Sequence, residues 1–181
     1  MDHNPYFTTE IETSQKPAIE LLKELGYKYI KPEDAEKMRD RPDRVLLKDI
    51  LKAQLVKLNS FEYKGKWYKF SDKNINQAML DLDEPLIDGL IKTNEKIYDH
   101  LVLGKSFEET LDDTSKKSFS LRYVDWENIL NNEFHVTEEY SIEKLDGTTR
   151  RPDIVLFVNG IPLAVIECKK TAISLKEGIS Q

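Results

Sequence analysis

The sequence predicts an α/β protein, α+β-like in layout, with a helical N-terminal part packed on a mixed sheet. Apolar residues recur at helical spacing through about the first hundred positions. After Gly104 the pattern changes to short runs rich in β-branched and aromatic residues, separated by turn signals. Helices first and a largely antiparallel meander afterwards is the order of a mixed or α+β class. The chain has 181 residues, enough for one domain with a sizeable core and short for two, so residues 1–181 read as a single domain.

From Thr13 to Leu25 the residues Ala18, Ile19, Leu21, Leu22 and Leu25 form an amphipathic stripe, and Gly26 supplies a stop. The stretch KPEDAEKMRDRPDR follows as a charged loop or short helix, with a solvated face as its simplest role. Helical patterns resume over Leu46–Leu58 and Asn74–Leu82, and Pro85 suits the first turn of a further helix running to about Leu103. Between them FEYKGKWYKF interleaves basic and aromatic residues, as a surface for single-stranded nucleic acid does. A Gly-centred turn with half-buried aromatics is the commoner arrangement. A polar loop through Lys117 leads to strand-like runs at Ser118–Val124 and Phe134–Ile142, with VDWENILNNEF between them as a loop or short helix. The turn Asp146-Gly147 and a closing hairpin complete the order, without internal repeats or low-complexity tracts.

Composition excludes several classes. Charged residues at 33% and hydrophobic ones at 39% suit a folded, soluble chain. No apolar run approaches a membrane span and MDHNPYFTTEIE lacks a secretory leader, so a cytoplasmic compartment with no membrane partner is expected. The single Cys168 excludes an internal disulfide, and His3, His100 and His135 are too scattered for a zinc cluster with one thiol. A net charge of -6 argues against a uniformly basic nucleic-acid module. Residues 141–181 nevertheless hold six Lys or Arg against five Asp or Glu, a balance of +1 that leaves -7 for the remainder. An acidic site that binds a cation also shows little positive excess, because the ion supplies charge the sequence does not count.

The closing hairpin, RRPDIVLFVNGIPLAVIECKK, sets chemistry at the ends of two apolar strands. Side chains alternate across a strand, so Glu167 and Lys169 share a face while Cys168 points to the other. Whether Asp153 joins them depends on the Asn159-Gly160 turn. A two-residue loop pairs Val158 with Ile161 and Asp153 with Ile166, which sends Glu167 to the opposite face. A three-residue loop pairs Phe157 with Ile161 and Asp153 with Val165, diagonal to Glu167 on one face. Asn-Gly permits both, and Pro162, which cannot donate to the ladder, allows an irregular register at the turn. In the second arrangement two carboxylates and an ammonium converge. Hard oxygen ligands suit Mg²⁺, a lysine suits the orientation of an attacking water, and the Cys168 carbonyl offers another oxygen, a set fit for phosphodiester hydrolysis. The alternative is that Asp153 caps a strand and Glu167, Lys169 and Lys170 are ordinary exposed ends or a salt bridge. Cys168 reads as a packed small hydrophobe rather than a nucleophile, and His100 and His135 as structural histidines.

Asp153 after Arg-Arg-Pro, an apolar strand, then Glu167-Cys168-Lys169 resembles the Asp…Glu-x-Lys site of the PD-(D/E)xK nucleases. With IELLKELGYKYI and VDWENILNNEFHVTEEYSIE, the chain resembles the N-terminal region of the restriction (R) subunit of type I restriction-modification enzymes. The likeness runs in order along nearly the whole chain, although residues 31–118 contribute mainly spacing. It implies a PD-(D/E)xK restriction-endonuclease-like core and a Mg²⁺-dependent endonuclease domain that cuts double-stranded DNA without reading its sequence. Such a domain is a fragment of a larger motor subunit, whose partners are the methyltransferase and specificity subunits. ATP is used by the full-length subunit of the family; this chain has no GxxxxGK[ST] loop and is expected not to bind it.

Carried over by position, the resemblance makes Asp153 and Glu167 metal-binding carboxylates, with the Cys168 carbonyl beside them, and Lys169 the catalytic lysine. Cys168 stands where an apolar residue such as Leu is more usual. Relatives often have a supporting Glu on or before the first helix; Glu10, Glu12 and Glu20 compete here, and Glu20 is the candidate because it lies within the helix. Arg150, Arg151 and Lys170 are the expected DNA-positioning residues. Gln181 is a candidate for a supporting Gln that relatives follow with Tyr four residues later. Two other readings stand beside this one, a self-contained nuclease of the same superfamily and a catalytically silent module that docks the motor on its partner subunits.

Overall fold

The computed structural model describes residues 11–83, 89–144 and 146–169. Pro85, Lys170, Gln181 and Glu10 lie outside the described residues. A wide π-helical turn, Ile11–Gln15, runs into α1 (Lys16–Glu24), which carries Pro17 in its first turn and ends at Gly26 with φ +98°. β1 (Lys28–Tyr29) and α2 (Pro32–Lys37) follow, then α3 (Lys48–Leu58), with Leu51 and Leu55 buried on one stripe. β2 (Phe61–Tyr63) and β3 (Lys66–Tyr68) form a hairpin around Lys64-Gly65, both at positive φ. α4 (Asp72–Leu82) is capped by the Ser71 hydroxyl, which accepts the Asn74 N–H at 3.4 Å.

α5 spans Leu90–Leu103 with Gly89 as its N-cap, so its first residue lies five positions after the Pro85 proposed from the sequence; 84–88 lie outside the described residues. β4 (Lys105–Thr110) and β5 (Lys116–Leu121) form a second hairpin. This corrects the expected polar loop through Lys117. Glu109, within that stretch, is buried at the N-terminus of α4, where its carboxylate accepts from the Ser71 N–H at 2.9 Å and from Asn74 Nδ2 at 2.8 Å. A carboxylate at a helix N-terminus meets unpaired N–H groups and the positive end of the helix dipole, which offsets its desolvation.

The remaining strands are β6 (Phe134–Glu138), β7 (Ile142–Glu143), β8 (Thr149–Arg150), β9 (Ile154–Val158) and β10 (Ile161–Ile166). The run expected over Phe134–Ile142 breaks where Glu139 takes φ +49°, and β7 leaves to pair with β8. Four strands make the central sheet in the order β1-β6-β9-β10, parallel between β1 and β6 and antiparallel elsewhere. The expected meander is therefore divided among several small sheets, and the mixed sheet arises from β1, a strand of two residues with no pattern of its own.

The central sheet is covered on both faces, as its alternation requires. Val136 and Ile154 pack with Ile19 and Leu22 of α1, whereas Val155 and Phe157 pack with Ala35, Leu47 and Tyr140 on the other side. A larger cluster joins α3 and α4 to the two hairpins through Leu51, Leu55, Phe61, Ile75, Ala78, Phe107 and Leu121, and reaches the sheet at Ile161. Among the described residues no helix is long and apolar enough to cross a membrane.

Candidate functional site

The hairpin of β9 and β10 is built on a left-handed pair, Asn159 at φ +54° and Gly160 at φ +80°. Asn159 is fully buried; its Nδ2 donates to the Tyr123 carbonyl at 3.0 Å and to Asn132 Oδ1 at 2.8 Å, and its Oδ1 accepts the Glu133 N–H at 2.8 Å. These bonds hold an asparagine in a backbone region that few other side chains tolerate. The turn is the two-residue one, Val158 opposite Ile161, but the register shifts between Pro162 and Ala164. Beyond the shift Ala164 faces Leu156, Val165 faces Val155, and Ile166 faces Ile154.

Neither register considered from the sequence is the observed one. A tight turn plus one extra residue at Leu163 moves β10 by one position, and a one-residue shift exchanges the faces of every side chain beyond it. Continued one step past that last pair, the same register would set Asp153 opposite Glu167 on a common face. Ile154 and Cys168 take the other face, in the cluster with Ile19 and Leu22. The Cys168 side chain is thus a packed small hydrophobe, 7% exposed.

Asp153 is held at both ends. Its Oδ2 accepts the Cys168 N–H at 2.6 Å, a bond that ties the two strands across the site. Its carbonyl accepts the Glu139 N–H at 3.0 Å and Gln15 Nε2 at 3.4 Å. Glu167 and Lys169 are exposed, and the Lys169 carbonyl accepts the Ser14 hydroxyl at 3.3 Å. The Asp153 and Glu167 carboxylates with a main-chain carbonyl would offer hard oxygen ligands, few enough to suit Mg²⁺ because that ion keeps several of its waters. Among the described residues no group of three His, Cys, Asp or Glu side chains is arranged to hold an ion. The fit therefore rests on Asp153, Glu167 and carbonyl oxygen.

Glu20 does not supply a third carboxylate here. It is exposed on α1 and pairs with Lys23 one turn on, at 2.9 Å. Helical phase is the reason: Gln15, Ile19 and Leu22 share the inward stripe, and residue 20 lies about 100° away from Ile19. The side chain the helix start sends inward is Gln15, buried, with Nε2 also 2.9 Å from Glu138 Oε2. The other Glu138 oxygen accepts the Tyr29 hydroxyl at 2.7 Å. Burial, then the bond to Glu138, pushes the Tyr29 pKa up to about 12, so the phenol remains a donor. Extending the apolar stripe of α1 backwards by one turn would have found Gln15; nothing local to Glu138 marks it.

The expected DNA-positioning residues divide. Arg150 is exposed on β8, and Arg151 is exposed and 3.6 Å from the Glu139 carboxylate. Lys170 and Gln181 lie outside the described residues. In FEYKGKWYKF the commoner reading fits the geometry: Phe61 is buried and stacks on Phe119 at 3.8 Å, and Lys64 pairs with Asp113. Lys66 pairs with Asp112. His135 is buried on β6, and His100 lies against the Tyr123 ring at 6.2 Å.

Comparison with known proteins adds to this geometry. The family described as type I restriction enzyme R protein N terminus matches residues 7–181. A putative type I restriction enzyme MjaIXP endonuclease subunit from Methanocaldococcus jannaschii is 31% identical over 165 residues, 86% of this chain and 14% of that protein. The type I restriction enzyme EcoprrI endonuclease subunit of Escherichia coli is 28% identical over 132 residues, 72% of this chain and 37% of the relative. A second Methanocaldococcus jannaschii protein, the putative MjaVIIIP endonuclease subunit, is 31% identical over 155 residues, 83% of this chain and 13% of its own length. The chain thus spans between 13% and 37% of these curated relatives.

Proposed function

The chain belongs to the family of type I restriction enzyme R protein N termini, and on that premise we propose that it is the DNA-cleaving domain of such an enzyme, a Mg²⁺-dependent nuclease with a PD-(D/E)xK core. The observation that carries the reading is the bulged register of the β9–β10 hairpin. Continued past Ile154 and Ile166, that register would bring Asp153 and Glu167 to one face, with Lys169 two residues further along the same edge, which supports the reading.

In this reading Asp153, Glu167 and the Cys168 carbonyl hold the ion. When bound, Mg²⁺ polarises the scissile phosphate and lowers the pKa of an attacking water. The remaining work belongs to the chain. The Cys168 N–H fixes one Asp153 oxygen, and the other would be the one to bind the ion. Lys169 carries an exposed ammonium that orients the water and balances negative charge as it develops on the phosphate. Arg150, Arg151 and Lys170 hold the backbone of double-stranded DNA through phosphate contacts, which position a duplex without reading its sequence. Target choice, ATP-driven motion and timing then fall to other parts of the assembly, including methyltransferase and specificity subunits.

The test is Lys169→Ala in the complete enzyme. Cleavage of DNA carrying the recognition site should fall by at least about 10²-fold while ATP hydrolysis persists. Undiminished cleavage would favour a silent docking module, and joint loss of both activities a structural role for Lys169.

A further inference from the structure

The π-helical turn before α1 places two consecutive side chains on the two strand ends that carry the candidate site. Ser14 donates to the Lys169 carbonyl and Gln15 to the Asp153 carbonyl, 155 and 138 residues away along the chain. The turn is wide by one residue relative to an α-helix, and such turns recur where a helix must re-aim a side chain. Gln15 is not oriented by its Asp153 contact alone. An ionised carboxylate only accepts hydrogen bonds, so Glu138, already taking the Tyr29 hydroxyl at 2.7 Å, obliges Gln15 to present its NH₂ group at 2.9 Å. The same NH₂ then reaches Asp153.

We propose that Ser14 and Gln15, the latter oriented by Glu138 and Tyr29, are positioning residues that fix the main chain of Lys169 and Asp153 and thereby the arrangement of the cation-binding carboxylates. This rests on the reading of Asp153 and Glu167 as a divalent-cation site. The geometry favours positioning over direct ligation. Gln15 is 3% exposed, and its amide nitrogen, a donor, meets the Asp153 main-chain carbonyl rather than the carboxylates. Glu138 lies on β6 opposite Ile154, in phase with Val136 on the α1 face, whereas the register sends Asp153 and Glu167 to the other face. Buried partners that orient the groups around an ion typically change its affinity by about 10–100-fold when removed.

Mn²⁺ binding to the 181-residue chain tests this, with affinity measured by isothermal titration calorimetry and coordination by the electron paramagnetic resonance spectrum of the bound ion. Gln15→Ala should weaken Mn²⁺ by about tenfold and broaden its spectrum, and Ser14→Ala should weaken it less. Leu22→Ala is the control, since it removes packing between the same helix and sheet without touching the hydrogen-bond network. It should lower the melting temperature while leaving the affinity and the spectrum unchanged. Equal weakening by Leu22→Ala would overturn the positioning role and leave only a structural one. Unchanged affinity in Gln15→Ala, in a chain whose Mn²⁺ binding is abolished by Glu167→Gln, would overturn the proposal and spare the cation site. Failure of the wild-type chain to bind Mn²⁺, or binding that survives Glu167→Gln, would overturn both.

Discussion

His135 sits on β6 at 5% exposure, with Nε2 3.6 Å from the Glu133 carboxylate and Nδ1 buried without a hydrogen-bond partner among the described residues. Burial pushes its pKa below the usual value, Glu133 pulls it partly back, and the Lys28 ammonium pushes it down again. A histidine held neutral in the fold takes up its proton more readily when unfolded. Its contribution to stability is therefore complete above the unfolded pKa of about 6.5 and is lost as pH falls from there toward the lower folded value. Urea midpoints measured between pH 8 and pH 5 should fall for the wild type and fall less for His135→Gln; parallel curves would show that other groups govern acid sensitivity. Arg39 illustrates the opposite solution to burial. Its guanidinium lies 4.8 Å over the Tyr140 ring, 3.6 Å from Glu36 and within reach of the Pro42 and Arg44 carbonyls, so the charge stays paired where the backbone between α2 and α3 needs donors.

At the scale of elements, the hairpin turn decides more than its two residues suggest. A Cβ at Gly160 would lie 2.6 Å from the Leu47 carbonyl oxygen and 2.9 Å from the Leu51 nitrogen, and the site requires φ +80°. The Leu47 N–H in turn donates to the Gly160 carbonyl at 2.9 Å, so the turn is locked against the start of α3. Gly160→Ala should destabilise the chain by roughly 2–4 kcal/mol, the left-handed penalty plus overpacking, as read from urea unfolding. Relief of the clash moves the turn away from α3 and with it the bulge at Leu163. Cation binding should therefore weaken in the folded fraction as well, because Asp153 and Glu167 stay aligned only while the extra residue does. A full loss of stability with cation affinity intact would show that the register is set elsewhere in β10.

For the whole molecule, the proposed role makes charge the property that governs how the chain meets DNA. The net charge is -6 and the C-terminal 41 residues carry only +1, so long-range attraction to a polyanion is weak. Of the three basic residues expected to hold phosphate, Arg151 lies 3.6 Å from a carboxylate. The 181-residue chain alone should bind duplex DNA weakly, lose that binding steeply with salt, and nick plasmid poorly even with Mg²⁺. Nicking assayed at low and physiological salt beside Glu167→Ala checks this. Efficient, Glu167-dependent cutting at physiological salt would favour a self-contained nuclease.

The sequence by itself determined the parts whose signals are local. The stripe Ile19, Leu22, the buried positions of α3 and α4, the closing hairpin and the Glu-x-Lys alternation all follow from side-chain period, which is set within a few residues by backbone geometry. The same locality carried the resemblance that identified the family. Tertiary structure alone decided the rest. The bulge at Leu163 has no local sequence signal, and β1, two residues long, is a strand through its parallel pairing with β6. β4 pairs with β5 and can bury Glu109 because that carboxylate finds N–H donors at α4, and Gln15 rather than Glu20 meets the Asp153 carbonyl because the sheet meets α1 along one stripe. Each of these turns on a hydrogen-bond partner distant in sequence, and a buried polar group takes whichever conformation supplies that partner.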